Sequence, residues 1–395
     1  MAGGPMRERK KRGVANECQA YSGGDFVHRW WQSMSLRPIL VLAGGTGGHV
    51  YPALAVAQAL QQQSREIVWL GTHAGIESRV VPAAGIAMEW ISVKGLRRKG
   101  IIALIVAPFR LLVALIQSLR VMLKHRPAVV LGMGGFVSGP GGLAAWLLRR
   151  PLVIHEQNAV AGLTNRLLAR LARVVLQAFP GSFSTGIKAE TVGNPVRADI
   201  AALDEPDIRY TGREGPLRLL ILGGSQGALA LNKVVPAALA LLPDALKPVV
   251  RHQAGERTIA EARAAYGAHD IDVELRPYIE DMAEAYAWAD LVICRAGALT
   301  VAELSAAGLP AIFVPYPSAV DDHQTANARP MADAGAAALM PETDLSDESL
   351  AGLLRQWLAS RDELLRRARK SRALAHPDAL MRISNYCLEA AGATT

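Results

Sequence analysis

The sequence predicts an α/β protein made of two halves in tandem, each built on a parallel, doubly wound sheet. Three observations predict it. Short apolar runs at residues 39–43, 66–70, 128–131 and 152–155 alternate with helical stretches. Glycine-rich or polar loops follow these runs directly, as they do at the carboxyl ends of parallel strands. After residues 198–216, rich in Pro, Gly and charge, the same plan starts again. With 395 residues the chain exceeds the size at which a single core stops growing, and 51% hydrophobic but only 5% aromatic content suits such sheets.

Residues 1–35 differ from the rest: basic at 6–13, then aperiodic, with no apolar core of signal-peptide length. Met34 stands just before the first apolar run and is a candidate start, so 1–35 reads as a disordered or artefactual leader. The first strand, 39–43, feeds Gly44-Gly45-Thr46-Gly47-Gly48-His49 and then a helix from about 52 to 62, with Pro52 near its first turn. Strand 128–131 feeds a second glycine loop, 132–142, and strand 152–155 ends at Glu156-Gln157-Asn158. Residues 198–216 read as an interdomain linker. Strand 217–222 then feeds Gly223-Gly224-Ser225-Gln226-Gly227 and a helix from Ala228. Further strands are expected near 247–252, 273–275, 291–294 and 311–314, with mostly helix from 345 onward. The expected units are 36–196 and 197–376, the last helix, about 377–395, packing back on the first.

The net charge of +8 is concentrated. Eight Lys and Arg between residues 94 and 126, with no acid among them, match the whole excess. They alternate with aliphatic runs rather than aromatics, which disfavours nucleic acid and points to a membrane surface. Over 108–124, Arg110, Gln117 and Lys124 recur at i, i+7 and i+14 with Arg120 beside them, a polar stripe on an otherwise apolar helix. A single membrane span is disfavoured, because an Arg mid-segment costs roughly 3 kcal/mol. Cys18, Cys294 and Cys387 are too few and too far apart for a disulfide framework or a zinc site, consistent with a reducing compartment.

Three glycine loops, each just after an apolar strand, favour a ligand cleft at which backbone N–H groups approach phosphate. There is no Gly-x-x-x-x-Gly-Lys-Ser/Thr, which excludes a P-loop. The second strand of each half ends without an acid (Gly71-Thr72-His73; His252-Gln253), which disfavours NAD. His49, opening a helix at the carboxyl edge of a sheet, is a candidate general base. Asp321-Asp322 reads as a solvated pair, and no metal is assigned. Residues 290–294 form a strand that turns through Arg295-Ala296-Gly297 into a helix ending at Gly308-Leu309-Pro310. Thr300-Val301-Ala302-Glu303 there fits a capping box, in which Glu303 only ties down the helix start; the alternative is a ligand contact.

These motifs, with His155-Glu156-Gln157-Asn158 and Gly193-Asn194-Pro195-Val196-Arg197, occur in an order and spacing that closely resembles the MurG family of glycosyltransferases from about residue 36 to the last helix. The resemblance implies a GT-B fold, two Rossmann-like domains facing across a cleft, and inverting, metal-independent transfer of GlcNAc from UDP-GlcNAc without a cofactor. The acceptor it implies is lipid I, the undecaprenyl-diphosphate-linked MurNAc-pentapeptide, giving lipid II. It implies a diphosphate cradle at Gly224, Ser225 and Gln226 helped by Arg197, and uracil at the backbone of Ile279. Ribose would meet Glu303, the pocket would be lined by Ala298, Leu299, Thr300, Val301 and Ala302, and sugar hydroxyls would lie near Gln324. Thr46, Gly47, Gly48 and Asn158 would reach GlcNAc and the acceptor, with Gly44, Gly45, Gly134 and Gly135 in the acceptor loops and His49 the base. Arg97, Arg98, Lys99, Arg110, Arg120 and Lys124 would form a patch for an anionic membrane, placing a peripheral enzyme on the cytoplasmic face of the inner membrane, with cell-wall synthesis and division proteins as further partners. His323 stands where the family often has a glutamine; it can still donate or accept a hydrogen bond.

Overall fold

The computed structural model describes residues 37–93, 101–224, 227–317 and 322–392, with backbone alone at 101–105. The expected leader, Lys94, Arg97, Arg98, Lys99, Ser225, Gln226 and Asp321 lie outside the described residues. The first lobe carries β1 (Ile39–Leu42), β2 (Ile67–Gly71), β3 (Ala87–Trp90), β4 (Val129–Gly132), β5 (Leu152–Glu156), β6 (Val174–Gln177) and β7 (Glu190–Thr191). The second carries β8 (Arg218–Leu222), β9 (Val249–Gln253), β10 (Glu274–Arg276), β11 (Leu291–Cys294), β12 (Ala311–Phe313) and β13 (Ala337–Leu339). Between strands of the first lobe run α1 (Gly47–Gln62), α2 (Glu77–Ala83), α3 (Ile101–His125), α4 (Ser138–Leu147) and α5 (Leu163–Leu168). Then come α6 (Ala198–Ala201), α7 (Pro206–Tyr210), α8 (Leu229–Ala240), α9 (Ile259–Ala268), α10 (Met282–Trp288), α11 (Ala298–Ala307) and α12 (His323–Asp333). The chain closes with α13 (Asp347–Leu358), α14 (Arg361–Arg372) and α15 (Ala379–Ala390).

Both sheets are parallel throughout and share one plan, β3-β2-β1-β4-β5-β6-β7 and β10-β9-β8-β11-β12-β13. Each therefore reverses its winding at one point, between β1 and β4 and between β8 and β11, where doubly wound sheets bind ligands. Alternation along the central strands explains how each sheet buries two faces. Ile39 and Val41 enter one core, Leu40 and Leu42 the opposite one. Leu219 and Ile221 divide from Leu220 and Leu222 in the same way. Each such side chain removed from water contributes roughly 1.5–3 kcal/mol.

Ile383, Cys387 and Leu388 of α15 lie in the same core as Ile39 and Val41, so the chain's end covers the first sheet. The thiols of Cys294 and Cys387 are wholly buried and burial pushes both up, that of Cys387 to about 12; they are core atoms, not nucleophiles. The stretch read as a linker is not loose. Ile200 and Tyr210 are buried against the second lobe, and the Arg209 guanidinium donates to the carbonyls of Asp204, Tyr286, Ala307 and Gly308. Four strands escape the sequence pattern. β3 contains a glutamate and no buried residue, β7 has two residues, β13 is Ala-Ala-Leu, and β6 continues a Leu- and Arg-rich helical run.

Candidate active site

Helix α1 starts at Gly47, not near Pro52, because the N–H groups of His49 and Val50 both bond to the Thr46 carbonyl. Pro52 has no N–H, so the Gly48 carbonyl lacks its helical donor. His49 thus sits in the first turn, above the junction of two glycine loops. Gly134 (φ +96°) lies flat against its ring: a Cβ there would be 2.7 Å from His49 Nδ1. At Gly135 (φ +81°) a Cβ would overlap the Gly44 carbonyl. Only glycine lets the loops after β1 and β4 touch in this way. Ser138, wholly buried, accepts from Gly134 N–H at 3.0 Å and holds this loop to the end of β1.

A carboxylate underlies the first loop. Glu77, fully buried, accepts from Gly45 N–H (3.0 Å), Thr72 N–H (3.0 Å) and Thr72 Oγ1 (2.8 Å). The Gly45 amide is therefore committed to Glu77.

The tetrad after β5 divides its labour. His155 is buried and donates from Nε2 to the Gly193 carbonyl at 2.9 Å; burial pushes it down to about 4, so it stays neutral. Glu156 accepts from Asn158 N–H and Nδ2, Gly162 N–H and Asn165 Nδ2, which shapes the loop. Gln157, 1% exposed, donates from Nε2 to the Met133 carbonyl at 2.9 Å, and its Oε1 lies 3.1 Å from His49 Nδ1.

In the second lobe Gly297 is the N-cap of α11 and offers no side chain, so the first N–H groups of the helix have no side-chain cap. Thr300 lies inside the helix rather than at its cap, so the capping-box reading of Glu303 is overturned. Instead Glu303 Oε2 accepts from Tyr286 Oη at 3.0 Å, and Oε1 is 3.8 Å from Arg197 Nε. Loss of surrounding water pushes the Glu303 carboxyl above its ordinary range, opposed by Arg197 and by the Tyr286 bond. Ala298 and Val301 are buried, with Leu299, Thr300 and Ala302 partly exposed on the same turns. Gly224 turns the loop after β8 with φ +75°. The side chain of Ile279 joins the core beside β11. Gln324 accepts from Tyr316 N–H at 2.9 Å through Oε1. Arg295 is structural: it donates to the carbonyls of Val314 and Pro315 and pairs with Glu342.

The lobes meet at the floor of the cleft, where α1 and α11 touch. Asn327 of α12, fully buried, accepts from Ala159 N–H (2.8 Å) and donates to Asn158 Oδ1 (3.3 Å) and the Ala296 carbonyl (3.2 Å). Asn194 bridges the Gln157 and Ala298 carbonyls. Asn158 thus has both polar ends engaged. Glu77, Gln157, Tyr286 and Asn327 were not assigned roles from the sequence, and only the Gln157 position carried a local signal, its place in the tetrad.

On the far side of the first sheet, α3 buries Ala107, Ala114, Ser118, Val121 and Met122. It leaves Phe109 (69% exposed), Leu112 (55%), Ile116 and Leu123 in the open. Residues 106–125 have the length and hydropathy of a span, but 28% of that window is buried inside the lobe and Arg110 and Arg120 are exposed on it. Two members of the expected polar stripe serve the fold. Gln117 accepts from Ser92 N–H, and Lys124 pairs with Glu89 at 2.6 Å, so Lys124 is not a free cation.

Two doubly wound lobes presenting their switch points to one cleft define the GT-B class of glycosyltransferases. The glycosyltransferase family 28 N-terminal domain matches residues 39–177, and the family 28 C-terminal domain matches 218–383. The UDP-N-acetylglucosamine--N-acetylmuramyl-(pentapeptide) pyrophosphoryl-undecaprenol N-acetylglucosamine transferase of Alkalilimnicola ehrlichii is 59% identical over 90% of this chain and 99% of its own. That of Marinobacter nauticus is 54% identical over 90% and 98%. The crystal structure of Acinetobacter baumannii MurG superposes with a TM-score of 0.78 at 42% identity, covering 89% of this chain and 99% of that one. A UDP-N-acetylglucosamine 2-epimerase, 15% identical with a TM-score of 0.62, shares the fold alone. The chain belongs to the MurG family within glycosyltransferase family 28.

Proposed function

We propose that the chain transfers GlcNAc from UDP-GlcNAc to the 4-hydroxyl of MurNAc in lipid I, giving lipid II, with inversion at the anomeric carbon. The observation that carries this reading is the meeting of the two switch points. His49 on its glycine junction and the open start of α11, with Glu303 and Arg197, border one cleft.

Residues 36–196 serve as the acceptor and membrane unit, and 197–376 as the donor unit. His49 takes the proton from the acceptor hydroxyl as its oxygen bonds to the anomeric carbon. The bond from that carbon to the diphosphate oxygen breaks, and UDP leaves with the electron pair. Gly224, Ser225, Gln226, the α11 amides and Arg197 stabilise the charge that grows on the diphosphate. Glu303 accepts from the ribose hydroxyls, the Ile279 backbone meets uracil, and Gln324 meets the sugar. Thr46, Gly47 and Gly48 hold neutral sugar hydroxyls, in keeping with the carboxylate under that loop. Asn158 reaches substrate by exchanging its bond to Asn327 for one to a hydroxyl. The apolar outer face of α3, with Arg110 and Arg120, rests on the cytoplasmic leaflet of the inner membrane and brings the cleft to a lipid-borne acceptor.

Labelled UDP-GlcNAc and lipid I test this directly. The expected product is GlcNAc-bearing lipid, and His49→Ala cuts turnover by about 10²–10⁴ with UDP binding retained. Folded protein that forms no such lipid refutes the reading.

A further inference from the structure

We propose that Gln157 is a positioning residue for His49, holding the imidazole in the tautomer that carries its proton on Nδ1 and leaves Nε2 as the basic nitrogen. This deepens the reading above and rests on His49 being the base.

The geometry allows one arrangement. The Met133 carbonyl can only accept, so the Gln157 amide turns its Nε2–H₂ toward it, at 2.9 Å. That orientation places Oε1 3.1 Å from His49 Nδ1. An amide oxygen can only accept, so Nδ1 must donate. In a neutral imidazole the lone pair is then on Nε2, on the side of the ring away from Gln157. The amide is held in place: Gln157 is 1% exposed, its Nε2 is tied to the Met133 carbonyl, and Asn194 Nδ2 fixes its main chain by donating to its backbone carbonyl at 3.0 Å. Nor can the ring tilt back, with Gly134 flush against it. A histidine base in the other tautomer has its proton where it should receive one.

A neutral partner also suits the chemistry. A carboxylate in the place of Gln157 would favour imidazolium and leave the base already protonated near neutral pH. The carboxylates on surrounding elements use their oxygens elsewhere. Glu77 of α2 serves Gly45 and Thr72, Glu156 of β5 serves Asn158, Gly162 and Asn165, and across the cleft Glu303 serves Tyr286 and faces Arg197.

The first test needs no variant. In long-range ¹H–¹⁵N spectra of protein labelled at histidine, with the His49 ring assigned by its loss in His49→Gln, Nδ1 is expected to be protonated and Nε2 bare at pH 8. A proton on Nε2 overturns the proposal whether or not the protein turns over, whereas retained turnover in His49→Ala would instead refute the base itself. The second test uses Gln157→Met, of similar volume without an acceptor, and Gln157→Glu, each checked for fold by UDP binding. The Met variant is expected to lose about tenfold or more in kcat, with the KM for UDP-GlcNAc within about twofold. The Glu variant should move the acid limb of the kcat–pH profile upward by about one unit or more. Unchanged kcat in the first together with an unmoved limb in the second would overturn it.

Discussion

Tyr286 donates its phenolic hydrogen to Glu303 Oε2 at 3.0 Å, which leaves Oε1 as the carboxylate oxygen facing Arg197, 3.8 Å from its Nε. Burial pushes the Tyr286 hydroxyl well above its ordinary range, so it remains a donor at every working pH. A helical glutamate is thereby fixed in one orientation.

If the ribose hydroxyls donate to Glu303, its ionised form binds UDP. Because burial raises this carboxyl, UDP affinity is expected to climb as pH rises through the acidic range in which Glu303 loses its proton. Glu303→Gln flattens that climb. Tyr286→Phe removes a bond that lowers the carboxyl, so the midpoint moves to higher pH. Titration calorimetry with UDP between pH 5 and pH 8 checks all three. Glu303→Ala raises the KM for UDP-GlcNAc by about tenfold or more, as expected for a hydrogen bond to a charged group.

Asn327 holds the lobes together through three bonds from one buried amide. Asn327→Ala leaves Ala159 N–H and the Ala296 carbonyl without that partner, at roughly 1–3 kcal/mol. A lowered Tm and a larger radius of gyration by X-ray scattering are expected. An unchanged radius would mean that the remaining contacts alone set the closure.

The outer face of α3 carries Phe109, Leu112 and Ile116 at i, i+3 and i+7, all exposed. Changing the three to Gln costs the lobe little, because none is in its core. Each apolar side chain moved into lipid contributes roughly 1.5–3 kcal/mol when fully buried. The triple variant should therefore bind anionic vesicles at least about tenfold more weakly in flotation, with Tm unchanged. Undiminished binding would move the membrane contact elsewhere.

Two histidines make the fold acid-sensitive. His155 and His252 are buried, and desolvation lowers them to about 4 and about 3. The native state holds both neutral, whereas the unfolded chain protonates them below about pH 6.5. Their contribution is thus present above that pH and is lost as pH falls from about 6.5 toward 4, on the order of 3 kcal/mol each. Denaturant unfolding at pH 7 and pH 5 should show the drop, and His252→Phe should reduce its slope.

Fold and site were legible to different depths. The strands β1, β4, β5, β8 and β11 declare themselves because strands buried on both faces are apolar throughout, and the loops after β1, β4 and β8 because they are rich in glycine. β3 and β13 do not, since an edge strand and an alanine run have no period of their own. Glu303 was legible as a residue but not in its contacts: Thr300, six positions past the end of β11, fits a cap on paper, and only the observed start of α11 at Ala298 removes that reading.

The sequence alone determined the two-lobed architecture and the place of the glycine loops. Apolar period and positive-φ glycine act within a few residues, and a linear reading can follow them. Tertiary structure alone decided what those loops touch. Gln157 reaches His49 across 108 positions and Asn327 reaches Asn158 across 169. Glu77, 32 positions from Gly45, puts a carboxylate under the first glycine loop. Within a lobe such bonds form because parallel winding returns distant strand ends to one rim, and between lobes because the two sheets' loops meet, a condition no local pattern contains.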